Sequence, residues 1–288
     1  MDYDRILGID WSGAEKRANQ RIYVAELDPT ARRMTTVVRA ADRTAVERFL
    51  GGGELEPAAR SLGPGVRRLG TDEAVLVGLD FAFSFPAGFA LPGRGRNWSW
   101  EDLARWTARL EDAKLEVAIR GEPGLRSQFF LGKGDAAEPL LRTTERELVE
   151  RGRARPTSVL HMVGAQQVGR GAIRGIPMLA RLRARRPAAI WPFDTPAGER
   201  LGLTIVEVFP RLWLTPGMRK QRRSDRRAQL GHWGREGIGF ENAGAACVAS
   251  PDAIDAAAAA IGLAGLERLR PLAELPDVVE REGWIAGA

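Results

Sequence analysis

The chain contains two apolar segments that each end on an aspartate, with a glycine two residues before it. They are ILGID (Ile6–Asp10) and VLVGLD (Val75–Asp80). Because side chains alternate across a strand, the glycine and the aspartate of each segment lie on one face. A carboxylate at the end of a buried strand is unfavourable unless a partner compensates its charge. The fold must therefore supply a compensating group for two strand-ending aspartates.

The surrounding pattern predicts an α/β fold with a five-stranded mixed sheet flanked by helices. Strands are expected at residues 5–10, 21–27, 34–39, 74–80 and 203–209, and a helix at residues 41–50. Short connections favour an antiparallel meander for the first three strands. The intervening helix allows the fourth strand to run parallel to the first, so both aspartates reach the carboxyl edge of the sheet, where ligands bind in open α/β sheets.

The middle of the chain, residues 87–202, has a different character. Helices are expected near residues 99–115, 143–151 and 166–186, separated by loops rich in glycine and proline. We interpret this stretch as a long, mostly helical insertion between the fourth and fifth strands. The whole chain, residues 1–288, is then expected to form a single domain.

Three further acids belong to the same pattern. Glu207 lies on the otherwise apolar face of the fifth predicted strand. Asp252 and Asp255, at positions i and i+3, project from one side of a helix that begins at Ser250. The alanine run that follows lets this helix approach a backbone closely, and Gly262 is its expected end.

Carboxylates that converge on one site repel one another unless cations neutralise them. Oxygen ligands without histidine suit Mg²⁺ or Mn²⁺. We expect Asp10, Asp80 and Asp255 to bind the metal, with Glu207 and Asp252 completing the catalytic set. Two ions about 3.5–4 Å apart would stabilise the attacking and the leaving oxygen in phosphodiester cleavage.

Each acid also has a structural interpretation. Asp10 and Asp80 can cap the turns that follow them, and Glu207 can pair with an arginine such as Arg211. Asp252 lies in a first helical turn, where the helix dipole favours an acid. Ser12 and Gly13 can offer a hydroxyl and backbone N–H groups to a phosphate, or simply form a turn.

The charge and the cysteine content limit the partners and the compartment. The net charge of +6 is the difference between 43 basic and 37 acidic residues, and the only lysines are Lys16, Lys114, Lys133 and Lys220. Arg219, Arg222 and Arg223 form a cluster that either contacts the phosphates of a nucleic acid or lines a solvated helix face. One cysteine and two histidines disfavour disulfides and Cys/His zinc sites. With an acidic start and no membrane-length apolar run, we expect a cytoplasmic protein.

Four motifs in order, GIDWSGA, GLDFAFSFP, IVEVFPR and DAIDAAAAA, resemble a family of bacterial and archaeal proteins described as predicted ribonuclease H-like nucleases. SPDAIDAAAAA is also similar to the last helix of Holliday-junction resolvases. The resemblance implies a ribonuclease H-like sheet of order 3-2-1-4-5 with strand 2 antiparallel. It departs from the resolvases at Asp80, where they carry a glutamate, and at Glu207, which has no counterpart in their minimal set.

Three functions remain open at the level of sequence. The resemblance favours a metal-dependent nuclease acting on RNA or DNA. An actin-like or sugar-kinase-like phosphotransferase or ATPase also places an aspartate before a small-residue phosphate loop, but it needs a second copy of the strand pattern, which this sequence lacks. A catalytically inactive binding module would keep the fold and lose turnover.

Overall fold

A computed structural model describes residues 3–14, 21–58, 65–132, 140–163, 167–185, 188–194 and 202–288. The strands are β1 (Arg5–Asp10), β2 (Tyr23–Asp28), β3 (Arg33–Arg39), β4 (Ala74–Asp80), β5 (Ala188–Trp191) and β6 (Gly202–Glu207). The helices are α1 (Arg43–Leu50), α2 (Trp100–Ala108), α3 (Leu115–Gly121), α4 (Pro123–Arg126), α5 (Thr143–Glu150), α6 (Val168–Arg185), α7 (Arg223–Arg235), α8 (Ala243–Ala249), α9 (Pro251–Ala264) and α10 (Val279–Glu282).

All six strands belong to one mixed sheet of order β3-β2-β1-β4-β6-β5. The first three strands pair antiparallel, as the short connections predict. β4 pairs parallel with β1 and with β6, so the predicted neighbours of the fourth strand are confirmed. The α/β class and the mixed sheet flanked by helices are thus as predicted.

The predicted five-stranded order 3-2-1-4-5 is incomplete, because a sixth strand forms the edge. β5 lies within the stretch interpreted as mostly helical and pairs parallel with the last strand, β6. Its four residues, AAIW, are too few to produce a strand signal, and the pairing that stabilises them is made with residues more than ten positions away. The limits of the predicted helix at residues 166–186 fall outside the described residues; the helix within it is α6.

Two apolar cores lie on opposite faces of the sheet. One contains Leu7, Ile9 and Leu79 and continues into α1, α6 and the insertion. The other contains Ile6, Leu76 and the alanines of α9. The alternation of side chains along β1 and β4 therefore directs Asp10 and Asp80 to the α9 face, while most of the buried apolar residues of the insertion lie on the other face.

The helix α9 approaches β1 at backbone distance. A Cβ atom added to Gly8 would lie 2.0 Å from the carbonyl oxygen of Ala256 and 2.6 Å from the amide nitrogen of Ala260. The glycine before Asp10 and the alanine run of the helix are therefore complementary, as expected. The prediction that α9 ends at Gly262 is wrong, because the helix continues to Ala264. Gly262 instead has no side chain at the point where the Trp213 ring packs against the helix.

Within the described part of the chain, no helix has the length and apolarity needed to cross a bilayer.

Gly8→Ala is expected to lower the free energy of unfolding by about 3 kcal/mol or to prevent folding, since overpacking against a backbone cannot be relieved by side-chain rotation. Urea denaturation measures the effect. Gly65→Ala is the matched control, because a Cβ there meets no atom of the described residues within 4 Å. Equal stabilities of the two variants would contradict the close contact between β1 and α9.

Candidate metal centre

Asp10 and Asp80 are direct neighbours at the carboxyl end of two parallel strands. The register of β1 and β4 aligns Gly8 with Gly78 and Asp10 with Asp80. Both carboxylates therefore leave the sheet on the same face and at the same level. The repeated sequence pattern is thus a structural pair.

Asp255 reaches the same place from α9. The hydroxyl of Ser250 accepts hydrogen bonds from the amides of Asp252 and Ala253, at 3.2 and 3.4 Å, and so begins the helix. The close packing of α9 on β1 then brings Asp255 to the end of the strands. Ligand oxygens of Asp10, Asp80 and Asp255 lie within 4.8 Å of one another.

The three acids raise one another's affinity for protons. Burial raises the pKa of Asp10 well above its usual range, and the charges of Asp255 and Asp80 raise it further. Burial, followed by the charge of Asp255, raises the pKa of Asp80 to about 8. Burial also raises the pKa of Asp255, against the opposing effect of Lys220. A cation in this cluster would relieve desolvation and repulsion together.

The Asp10 carboxylate has no hydrogen-bond donor among the residues that the structure describes. The residue is 9 % exposed, and its pKa is shifted by burial and by the charges of neighbouring groups. The Asx turn considered for this residue is therefore not formed. Instead, the hydroxyl of Ser12 accepts a hydrogen bond from the amide of Ala14. A hard divalent ion such as Mg²⁺ or Mn²⁺ fits these oxygen donors.

Lys220 supplies positive charge to the acidic cluster. Its ammonium forms an ion pair with Asp255, and its charge also acts on Asp10 and Asp80. The pKa of Lys220 is raised, because these three acids outweigh the effect of burial. Sequence reasoning did not select Lys220, although a lysine within an arginine-rich cluster, in a chain with four lysines, was the available signal.

Asp252 lies at the edge of this group. It is half-buried one helical turn before Asp255, and burial raises its pKa while Lys220 and Arg21 lower it. The set of acids whose oxygens approach one another does not include it. Its expected place in the catalytic set therefore stays a prediction.

Glu207 is on the opposite face of the sheet from the three aspartates. It aligns with Leu79 on β4, and its neighbours on the same face, Leu203 and Ile205, belong to the core under the insertion. The structure therefore does not bring Glu207 to the acids with which the sequence grouped it. Glu207 pairs with Leu79, the residue before Asp80, and side chains alternate between the two faces of a sheet. A difference of one residue in register therefore places Glu207 and Asp80 on opposite faces.

Glu207 is compensated by Arg142 from the insertion. Nη1 of Arg142 lies 2.7 Å from Oε2 of Glu207, and the same guanidinium binds Glu145. The amide of Phe83, in the segment after Asp80, donates a further bond to Glu207 at 2.8 Å. Arg211, the partner considered from sequence, donates instead to the carbonyl of Met218.

The turn at Ser12 and Gly13 packs against α6. A Cβ on Gly13 would lie 2.2 Å from the amide nitrogen of Gly171, and the Gly13 carbonyl accepts a bond from Arg174. The carbonyl of Ser12 accepts one from Arg43. The glycine is thus needed for helix packing, and the phosphate role of the turn stays a prediction.

Arg219, Arg222 and Arg223 are exposed beside Lys220, at the start of α7. The backbone amide of Arg219 donates a hydrogen bond to the carboxylate of Asp225, which connects the loop before α7 to that helix. The guanidinium of Arg219 takes no part in this bond. The cluster therefore lies next to the acidic site along the chain. Contact with a nucleic acid remains the expectation for these three arginines.

Comparisons with protein-family models, curated proteins and solved structures gave no match.

The metal-free protein is expected to lose stability as pH rises from about 4 to about 8. The folded-state pKa values of Asp10 and Asp80 are raised, the latter to about 8, so in this window the folded chain holds protons that the unfolded chain has released. Asp10→Asn should therefore raise the free energy of unfolding at pH 8 by at least about 1.4 kcal/mol, one pKa unit.

Urea denaturation in EDTA at pH 5 and pH 8 measures this effect, with the exposed Asp277→Asn as control. Adding Mn²⁺ should restore the stability of the wild type at pH 8 more than at pH 5. A free energy of unfolding that rises from pH 5 to pH 8 in EDTA would contradict the prediction.

Glu207→Gln is expected to lower the free energy of unfolding by about 3 kcal/mol, because it leaves the buried Arg142 undercompensated. Mn²⁺ affinity should be unchanged. Glu241→Gln, which breaks an exposed pair with Arg33, is the control for loss of an ion pair. A variant with wild-type stability and no Mn²⁺ binding would instead assign Glu207 to the metal centre.

Proposed function

We propose that this chain is a metal-dependent nuclease of the ribonuclease H-like type that hydrolyses phosphodiester bonds. The observation that carries the proposal is the convergence of Asp10, Asp80 and Asp255 within 4.8 Å, with Asp10 buried and lacking a hydrogen-bond donor among the described residues. Such a group stabilises the fold poorly by itself and suits a divalent cation. The proposal thus explains a feature that folding alone does not require.

The topology supports the ribonuclease H-like part of the proposal. The motif resemblance implies antiparallel strands 1 to 3, two parallel strands beyond strand 1, and a final helix bearing acids. The order β3-β2-β1-β4-β6, followed by α9 with Asp255, has this arrangement. The additional edge strand β5 and the rest of the insertion lie outside that pattern and leave the acid-bearing edge unchanged.

The residues of the chain would divide the chemistry between them. Asp10, Asp80 and Asp255 would hold Mg²⁺ or Mn²⁺, which when bound supplies charge stabilisation to the phosphate and activates water. In hydrolysis the water oxygen bonds to phosphorus, the phosphorus–oxygen ester bond breaks, and the leaving oxygen takes a proton. The three side chains act by orienting the ion, and the closely packed α9 keeps Asp255 in register with the strands.

The substrate class follows from the surface next to the site. Exposed Arg219, Arg222 and Arg223 lie in the segment that also carries Lys220. Guanidinium groups contact phosphate oxygens without reading the base. We therefore propose a nucleic acid as substrate and leave RNA, DNA, hybrid and branched forms to experiment.

Asp10→Asn, Asp80→Asn and Asp255→Asn are each expected to lower Mn²⁺-dependent cleavage at least about 10³-fold, since acids that hold one cation act as a unit. The assay is a screen over RNA, DNA, their hybrid and branched DNA with Mg²⁺ or Mn²⁺. Asp277→Asn, an exposed acid elsewhere, should cleave like the wild type.

The same preparations are assayed for ATP hydrolysis. Cleavage that persists in Asp10→Asn contradicts the nuclease proposal. ATP hydrolysis without cleavage would favour the phosphotransferase or ATPase class. Metal binding with neither reaction on any substrate of the screen would favour an inactive binding module.

A further inference from the structure

We propose that the site takes a single divalent cation and that the ammonium of Lys220 acts in the place of a second ion. The inference rests on the proposed function and changes the two-ion arrangement expected from sequence. It assigns Lys220 as a residue that contacts the substrate phosphate.

The described ligands suffice for one ion. Asp10, Asp80 and Asp255 are the acids whose oxygens lie together in the part of the chain that the structure describes. Asp252 is outside this set, and Glu207 is bound by Arg142 on the other face of the sheet. A second ion would have to share the first ion's ligands and lie beside the ammonium of Lys220.

The position of Lys220 is built into the fold. Its carbonyl accepts a bond from the guanidinium of Arg226, a buried residue of α7. The same guanidinium donates to the carbonyl of Val248 at 2.9 Å, near the end of α8. Since α8 leads directly into α9, one arginine ties the backbone of Lys220 to the helix pair that carries Asp255.

Charge favours one ion as well. Three ionised aspartates carry three negative charges. One divalent ion and one ammonium balance these three charges and leave the neighbouring charge of Asp252, which also acts on the three aspartates, whereas two divalent ions and the ammonium exceed all four charges and repel one another at close range. Lys220 thus compensates negative charge of the aspartates that a single divalent ion does not neutralise.

The ammonium is also accessible to a substrate. The side chain of Lys220 is 42 % exposed, while that of Asp255 is 5 % exposed. The lysine therefore spans from the buried acids to the surface on which Arg219 lies. A phosphate oxygen arriving there would meet the ammonium directly, and a compact ammonium on a flexible stem can bind it as a point charge.

Isothermal titration with Mn²⁺ and cleavage of the substrate found in the screen test this proposal. The wild type is expected to bind one Mn²⁺ per chain. Lys220→Met should bind it at least about tenfold tighter, because a competing positive charge is gone. The same variant should cleave at least about 100-fold slower at saturating Mn²⁺, and Lys220→Arg should keep one ion and recover part of the rate.

Lys114→Met, at an exposed lysine in the insertion, is the matched control and should leave both readouts unchanged. Two Mn²⁺ ions per wild-type chain, both lost in Asp10→Asn, would overturn this proposal and leave the proposed function standing. Unchanged Mn²⁺ affinity or unchanged cleavage in Lys220→Met would also overturn it. Absence of Asp10-dependent Mn²⁺ binding would overturn the proposed function and this inference with it.

Discussion

The mutual repulsion of three clustered aspartates at one edge of the sheet is the constraint on which the rest of the structure depends. Asp10, Asp80 and Asp255 come from elements far apart in sequence, yet their oxygens lie within 4.8 Å of one another. Burial and like charge both oppose their ionisation. The fold tolerates the arrangement because Lys220 offsets part of the charge and because α9, which carries Asp255, packs closely against β1.

The close contact of α9 with β1 brings the third acid to the other two. Gly8 has no side chain and the α9 residues that face it are alanines, so the helix can approach the strand closely. A larger residue at either side would shift Asp255 along with the whole helix. The packing of α9 therefore sets the geometry of the site. The glycine precedes the aspartate by two residues because both must lie on the face of β1 that contacts α9.

The other face of the sheet has its own polar centre. Arg142 binds Glu207 and Glu145, and its guanidinium also donates to the carbonyl of Glu282 near the end of the chain. Glu207 accepts the amide of Phe83, in the segment that follows β4. This buried ion-pair network connects the insertion and the C-terminal segment to the end of β6. It lies on the opposite face of the sheet from the three aspartates.

Local sequence determined five of the six described strands, the two Gly-x-Asp ends and the pair of acids on α9, because alternation and helical spacing are properties of neighbouring residues. It also fixed the relation of Asp10 to Asp80, once the strands were taken as parallel. Tertiary structure decided that Glu207 faces Arg142, that Lys220 reaches the acids, and that AAIW becomes an edge strand. Each of these depends on partners distant in sequence, and only the folded chain brings such partners together.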